Sequence, residues 1–349
     1  MKQDILSLTP EELNTAVLAL GVPRFRADQI RSWLAKGVRD FDAMTNLPAS
    51  LIAQLKERYA LWRPRVLDKK VSTDGTVKYL WELADGNAVE TVIMRYRYGN
   101  TVCVSSQVGC RQGCAFCAST IGGLVRDLTA SEILDEVVFS QEESGLPISN
   151  IVLMGIGEPL DNFDNVTRFL RLVNDPAGMN IGMRHITLST CGLCERFEDL
   201  AALGLPITLT VSLHAPDDET RSKLMPANRT RGIDRLMESC ADYAQQTGRR
   251  ITFEYAMIRG VNDSDAQAEQ LAKLARKVHA HVNLIPLNHV SERDLFPSEP
   301  AVIDRFEKIL LDRGVNVTVR RRLGNDVDAS CGQLRRKYNK TRKVETPDT

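Results

Sequence analysis

From residue 100 onward the chain repeats one pattern: a short apolar run rich in β-branched residues, then a longer stretch with helical periodicity. The runs fall at residues 101–106, 150–154, 185–189, 207–213, 251–258 and 282–286, with 315–319 as one more. Between them lie amphipathic stretches such as 131–143 and 265–279. Strands alternating with helices predict a parallel sheet, because each helix carries the chain back to the start of the next strand. Six such units with one core predict an α/β fold built as an open or partial barrel, with function on the loops at the C-terminal ends of the strands. Upstream the pattern differs. Residues 1–65 read as a small helical domain: Thr9 before Pro10 and two acids makes a helix start, and Phe25, Ile30, Trp33 and Leu34 recur at helical spacing. Residues 66–98 switch to a two-residue period in Val77, Tyr79, Trp81 and Leu83, and Asp85-Gly86-Asn87 forms a turn, as in a β-hairpin linking the two parts. Residues 99–332 make the core, and 333–349 a basic polar tail.

Composition narrows the function classes. At 349 residues, 43% apolar and 26% charged, the chain is an ordinary globular one. Forty-five basic residues balance 45 acidic ones, so nucleic-acid binding must come from local basic patches rather than a global field. No apolar run is long enough to span a bilayer, and the N-terminus lacks the basic start and apolar core of a signal peptide. A cytoplasmic protein is expected, and there eight cysteines point to metal or redox chemistry rather than structural disulfides.

Three of those cysteines, Cys110, Cys114 and Cys117, are spaced CxxxCxxC just after the first core strand. Cysteine thiolates are the usual ligands of iron–sulfur clusters, and three ligands on a four-iron cube leave one iron open. An open iron can take the amino and carboxylate groups of S-adenosyl-L-methionine (SAM) and pass it an electron. The competing readings are a zinc site, which more often uses two CxxC pairs or added histidines, and simple buried cysteines. Gly155-Ile156-Gly157-Glu158-Pro159 follows the next strand; small residues let the backbone approach a ligand, and the acid suits an ammonium group. Ser189, Ser212-Leu213-His214 and Asn288 end later strands and should converge on the same rim. Taken separately, Ser189 and His214 read equally as satisfied polar strand ends.

The motif set resembles the radical SAM superfamily and, more narrowly, the RlmN/Cfr family of adenine RNA methyltransferases, nearer its RlmN branch. The matching stretches are Val89-Glu90-Thr91-Val92, Cys103-Val-Ser-Ser-Gln-Val-Gly-Cys110, Gly157-Glu158-Pro159-Leu160, Leu188-Ser189-Thr190, Ser212-Leu213-His214-Ala215, Asn283-Leu-Ile-Pro286 and Asp328-Ala-Ser-Cys331-Gly-Gln-Leu334. Ile156 and Ser330 depart from the family's usual Met and Ala; neither position carries a reacting group. The resemblance implies a radical SAM partial (β/α)6 barrel. It also implies a 4Fe-4S cluster on Cys110, Cys114 and Cys117, and SAM bound by Gly157, Glu158, Ser189, Ser212, Leu213, His214 and Asn288.

The same resemblance implies a reaction. Adenine C2 has no nucleophilic lone pair, so a carbon radical must attack it. Cys331 takes a methyl group from a first SAM, for which it must be a thiolate. A 5′-deoxyadenosyl radical from a second SAM removes a hydrogen from that methyl group, and the methylene radical adds to the adenine. Glu90 matches the proton acceptor, and Cys103 attacks Cys331 to release the product, leaving a transient disulfide. Without the resemblance, Glu90 reads as a solvated strand glutamate, and water or a thiol could replace it as base. The substrates implied are an adenine of 23S rRNA and the adenine 3′ of the tRNA anticodon, with a flavodoxin or ferredoxin as electron donor and a monomeric enzyme. Two basic groups flank the site: Arg24, Arg26, Arg31, Lys36 and Arg39, and then Arg320, Arg321, Arg322, Arg335, Arg336, Lys337, Lys340, Arg342 and Lys343. Such runs are often only solvated surface, but a polymeric substrate favours phosphate contact. Cys191 and Cys194 form a CxxC with no second pair and read as local packing, as does Cys240. The alternatives are a Cfr-type adenine-C8 methyltransferase, a radical SAM activase or dehydrogenase unrelated to RNA, and a non-enzymatic iron–sulfur RNA-binding protein.

Overall fold

The structure, a computed structural model, describes residues 2–288, 290, 292–321, 323–327, 334, 335 and 338. Cys331, Ser330, Arg322, Arg336, Lys337, Lys340, Arg342 and Lys343 lie outside the described residues.

The N-terminal helices are α1 (Pro10–Ala19), α2 (Phe25–Ala35) and α3 (Ala49–Arg58), tied at their base by β1 (Gln3–Asp4) running parallel to β2 (Tyr59–Ala60). The expected start of α1 is there: the Thr9 side chain accepts from the Glu12 N–H while Glu12 reaches back to Thr9, a capping box. Ion pairs join this unit to the core. Buried Arg63 reaches Asp135 at 3.4 Å, Arg31 reaches Asp175 at 2.8 Å, and Arg39 contacts Glu142 and Glu143. Two arginines expected to meet RNA, Arg31 and Arg39, thus hold the helices against the core instead.

A ten-stranded sheet dominates the core. The meander β3 (Arg65–Val71), β4 (Val77–Glu82) and β5 (Ala88–Tyr96) runs antiparallel into β6 (Gly99–Cys103) through a two-residue turn at Arg97 and Tyr98. The expected hairpin is therefore three strands, and it continues the core sheet. Beyond β6, and after the short antiparallel pair β7 (Gln107–Gly109) and β8 (Leu124–Asp127), come the parallel strands. They are β9 (Ile148–Leu153), β10 (Ile186–Thr190), β11 (Thr208–Ser212), β12 (Thr252–Met257), β13 (His281–Pro286) and β14 (Val317–Val319). Order across the sheet is β14-β13-β12-β11-β10-β9-β6-β5-β4-β3. Seven strands from β6 to β14 are mutually parallel, and β3 and β14 do not meet, so this is an open α/β barrel, as the βα rhythm predicts. Helices α4 (Ala130–Ser144), α5 (Phe163–Val173), α6 (Phe197–Ala202), α7 (Asp218–Leu224), α8 (Gly232–Thr247), α9 (Asp265–Lys277) and α10 (Pro300–Asp312) carry the returns. Their apolar residues, such as Val166, Phe169 and Leu170 of α5, pack on the buried strand residues Ile151, Leu188, Val211 and Phe253 in one continuous core. No described helix is long and apolar enough to cross a membrane.

The two edge strands differ from the interior. β14 has three residues, and β3 has a register shift between Val66 and Asp68 followed by the charged residues Asp68, Lys69 and Lys70.

Candidate active site

The cluster loop leaves β7 at Gly109 and returns at Leu124, so the β7–β8 pair closes its neck. Within it the Ala115 N–H donates to the Leu224 carbonyl at 2.8 Å, and the Thr120 hydroxyl donates to the carbonyls of Cys114 and Cys117. These bonds fix the backbone that presents Cys110, Cys114 and Cys117 to one cavity of about 300 Å³ at the C-terminal ends of the parallel strands. Burial pushes the Cys110 thiol up to about 12 and raises Cys114 further, with neighbouring Cys117 adding to both. Deprotonation must therefore be coupled to iron binding. No three described His, Cys, Asp or Glu side chains converge as ligands of a single ion. A cube meets that geometry, since each thiolate binds a different iron. The donor set, three thiols from one loop in one cavity, fits an iron–sulfur cluster.

Gly155 and Gly157 line the same cavity. A Cβ on Gly155 would lie 2.6 Å from the Val104 carbonyl oxygen, and one on Gly157 2.6 Å from the Ser106 hydroxyl and 2.8 Å from the Gln107 nitrogen. Gly157 also has φ of 114°, which suits glycine alone. Gly157→Ala is expected to lower stability by about 3 kcal/mol, from strain plus overpacking, and to weaken SAM binding. A denaturant melt and SAM titration measure both effects. Glu158 is buried, and its two oxygens accept from the backbone N–H groups of Leu160 at 3.0 Å and Cys191 at 2.7 Å. Its carboxylate thereby ties the loop to the end of β10, a task that the motif alone did not reveal.

Ser189, Ser212, His214 and Asn288 line the same cavity. Leu213 is part of the apolar core, and its main chain bonds to Glu254 and to buried Arg221. His214 has φ of 56°, in the left-handed region, and is held there by Asn262, which donates to its carbonyl at 2.7 Å. Burial, with Arg221 adding, lowers its pKa to about 3. The imidazole is therefore neutral, and since Nδ1 accepts from the Ala256 N–H at 2.9 Å, its proton sits on Nε2. A histidine does lie beside the cluster loop, edge-on to Phe116, as a hydrogen-bonding group rather than a metal ligand.

A second and larger cavity, about 860 Å³, fills the barrel lumen and shares Met154, Ile285, Asn288 and Arg320 with the first. Cys103, buried at the end of β6, faces this lumen. Arg320 was expected as a phosphate contact on a basic run. Instead its guanidinium bonds Glu254 at 3.0 Å and approaches the Met154 sulfur, while Asn283 also donates to Glu254. Glu90, on β5, meets Lys78 at 2.9 Å, both side chains buried, and accepts from the Arg335 N–H at 2.6 Å. Leu334 packs on Leu80 and Ala88 nearby, with Tyr338 alongside. Cys331 is only four residues from Arg335, so the chain can span no more than about 14 Å between them. No two described cysteines lie at disulfide distance, so no disulfide is supported among them; Cys331, the partner implied for Cys103, lies outside the described residues. Cys191, Cys194 and Cys240 are buried, and Cys194 donates to the Gly192 carbonyl.

Residues 3–61 match the ribosomal RNA large subunit methyltransferase N-terminal domain, and 104–272 the radical SAM superfamily. The chain is 53% identical to a probable dual-specificity RNA methyltransferase RlmN of Desulforamulus reducens, over 97% of each chain. This chain belongs to the RlmN family. A second RlmN relative, from Alkaliphilus metalliredigens, is 50% identical over 97% of this chain and 96% of its own. A crystal structure of a radical SAM methyltransferase from Sphaerobacter thermophilus superposes with a TM-score of 0.90 at 45% identity, covering 95% of this chain and 98% of that one. As an RlmN-family member the protein is a radical SAM methyltransferase that uses SAM and an iron–sulfur cluster.

Proposed function

We propose that the protein methylates C2 of an adenine in 23S rRNA, and of the adenine 3′ of the tRNA anticodon, through a methyl group carried on Cys331 and with two SAM per turnover. The observation that carries this reading is the adjoining of two cavities. One holds the three cluster cysteines, the other opens on Cys103, and four residues line both. RlmN relatives described as dual-specificity RNA methyltransferases support the choice of substrate.

Cys110, Cys114 and Cys117 would hold the cluster, which when bound supplies the electron that splits SAM. Gly157, Ser189, Ser212, His214 and Asn288 bind and orient SAM, with the His214 Nε2–H as a fixed neutral donor and Leu213 acting through its main chain. Glu158 holds the loop. Cys331 accepts a methyl group on its sulfur, which requires the thiolate. Glu90 accepts the proton lost from C2; Lys78 and the Arg335 N–H both donate to its carboxylate and so orient it. The Cys103 thiolate then attacks the sulfur of Cys331: an S–S bond forms as the S–C bond to the base breaks, the released carbon takes a proton to become the methyl group, the unpaired electron is given up, and an external thiol reductant restores both cysteines. A cytoplasmic, monomeric enzyme fed by a flavodoxin or ferredoxin fits this chemistry.

Anaerobic reconstitution followed by reaction with an rRNA fragment tests the reading. Mass mapping should find 2-methyladenosine. 8-Methyladenosine would favour the Cfr-type reaction, and no methylated RNA despite SAM cleavage would remove RNA as substrate. A tRNA anticodon stem-loop in the same assay checks the second substrate.

A further inference from the structure

The lumen has a composition that the chemistry at its inner end does not require. Among the described residues its lining includes Arg97, Arg184, His185, Arg320 and Arg321, and no aspartate or glutamate. Of these, Arg320 meets a carboxylate, as Arg31, Arg39 and Arg63 do elsewhere. Arg97, Arg184 and Arg321 are exposed, and none makes an ion pair with a described carboxylate. They stand around the rim: Arg97 in the β5–β6 turn, Arg184 just before β10, Arg321 just after β14.

The same turn carries Tyr98, which is 73% exposed, the largest exposure among the large apolar side chains. It stacks on Tyr96, ring centroids 5.0 Å apart and planes within 6°. Tyr96 in turn lines the lumen, on the same face of β5 as Met94 and Val92. β6 then leads from this turn to Cys103, four residues farther than Gly99, or about 13 Å at about 3.3 Å per residue. An exposed aromatic face beside unpaired arginines, opening on a cavity of nucleotide size, is the combination that binds single-stranded nucleic acid. Stacking accepts any base, and the arginines follow the phosphates. A duplex could not supply a base to this site without unstacking it, whereas a splayed loop nucleotide can enter directly.

We propose that the rim of the lumen is a binding site for single-stranded RNA, in which Tyr98 stacks on a base one or two positions from the target adenine and Arg97, Arg184 and Arg321 meet the phosphates. This deepens the proposed function and rests on it. The target reaches Cys103 through the lumen, while the cluster and SAM occupy the adjoining cavity, so the two reactants arrive from different sides.

The test uses full-length reconstituted protein and an RNA fragment carrying 2-aminopurine beside the target adenine. The wild type and Tyr98→Phe should quench the 2-aminopurine fluorescence and bind with equal Kd. Tyr98→Ala should lose the quenching and bind about ten-fold more weakly, since one base stack is removed. Its melting temperature should fall by no more than a few degrees, because exposed Tyr98 gives up only its stack on Tyr96. Arg97→Ala, Arg184→Ala and Arg321→Ala should each reduce the slope of log Kd against log salt by about one unit. If Tyr98→Ala quenches and binds as the wild type does while the wild type methylates the RNA, the inference is overturned and the enzymatic reading stands. If the wild type quenches and the Tyr98→Ala loss appears without any methylation, the binding site stands and the enzymatic reading falls. No quenching by the wild type overturns the site.

Discussion

Cys114→Ala, and equally Cys110→Ala or Cys117→Ala, is expected to abolish the iron–sulfur absorbance near roughly 400 nm and the reductive cleavage of SAM together. The three thiols line one cavity, and the loop that carries them is pinned by backbone bonds from Cys110 to Gly123 and from Ala115 to Leu224. No other described cysteine is presented by that loop to replace a lost ligand. Cys191 also lines the cavity, but it follows β10, and its N–H is bound to the buried Glu158 carboxylate. Since burial favours the neutral form of Cys110 and Cys114, iron binding must draw both protons off together, and loss of one ligand weakens the rest. Production of 5′-deoxyadenosine by a Cys114→Ala protein would show that the ligand set is wrong.

Cys103→Ala should fail at a different stage. Methyl transfer to Cys331, radical formation and addition to the adenine do not use the Cys103 sulfur. Resolution of the adduct does. Protein joined to RNA through Cys331 should therefore accumulate and survive denaturation, visible as a band of reduced mobility that nuclease collapses. Cys331→Ala should give neither this band nor methylated RNA, and the double variant should match Cys331→Ala. Structure alone offers a bland alternative, in which Cys103 is a buried strand-end residue opposite Val92 and Val152. Its truncation would then cost about 1 kcal/mol and leave turnover normal. A Cys103→Ala protein that turns over without any denaturation-resistant RNA species would remove Cys103 from the mechanism.

The βα rhythm was legible because each strand of the barrel is a local apolar run, and six of the seven parallel strands fall within two residues of where the pattern puts them. β6 is the exception. It begins at Gly99 and ends at Cys103, because the Ser105 N–H is taken by Glu136 of α4 and Ser106 turns toward the Ile156 carbonyl. Those partners are distant in sequence. For the same reason the fusion of the hairpin into the main sheet could not be read: pairing of Tyr96 with Gly99 is local, but pairing of β6 with β9 spans the cluster loop and α4. In the site, residues that present a side chain to a cavity were legible from their position after strands. Residues whose job is to hold something else were not. Glu158 reads as a ligand and acts as a tie; Leu213 lies in the core between two lining residues; Arg31, Arg39 and Arg320 read as free charge and are paired. Sequence displays a charge but not its partner. The stacked tyrosines of the β5–β6 turn went unread because their significance comes only from the cavity they border.

The edges of the ten-stranded sheet have a consequence for how the protein behaves in concentrated solution. An open sheet of this size offers two rows of unpaired N–H and C=O groups to any neighbouring copy, and a flat apolar edge would template stacking of chain on chain. Here one edge, β14, is too short at three residues to register with a partner. The other, β3, is bent by its register shift and carries Asp68, Lys69 and Lys70 in succession, with Lys70 and Asp68 3.3 Å apart. A copy approaching either edge would meet a bend, a like charge, or too few bonds to hold it. The open barrel can thus keep both edges of its sheet without either becoming a seam for polymerisation.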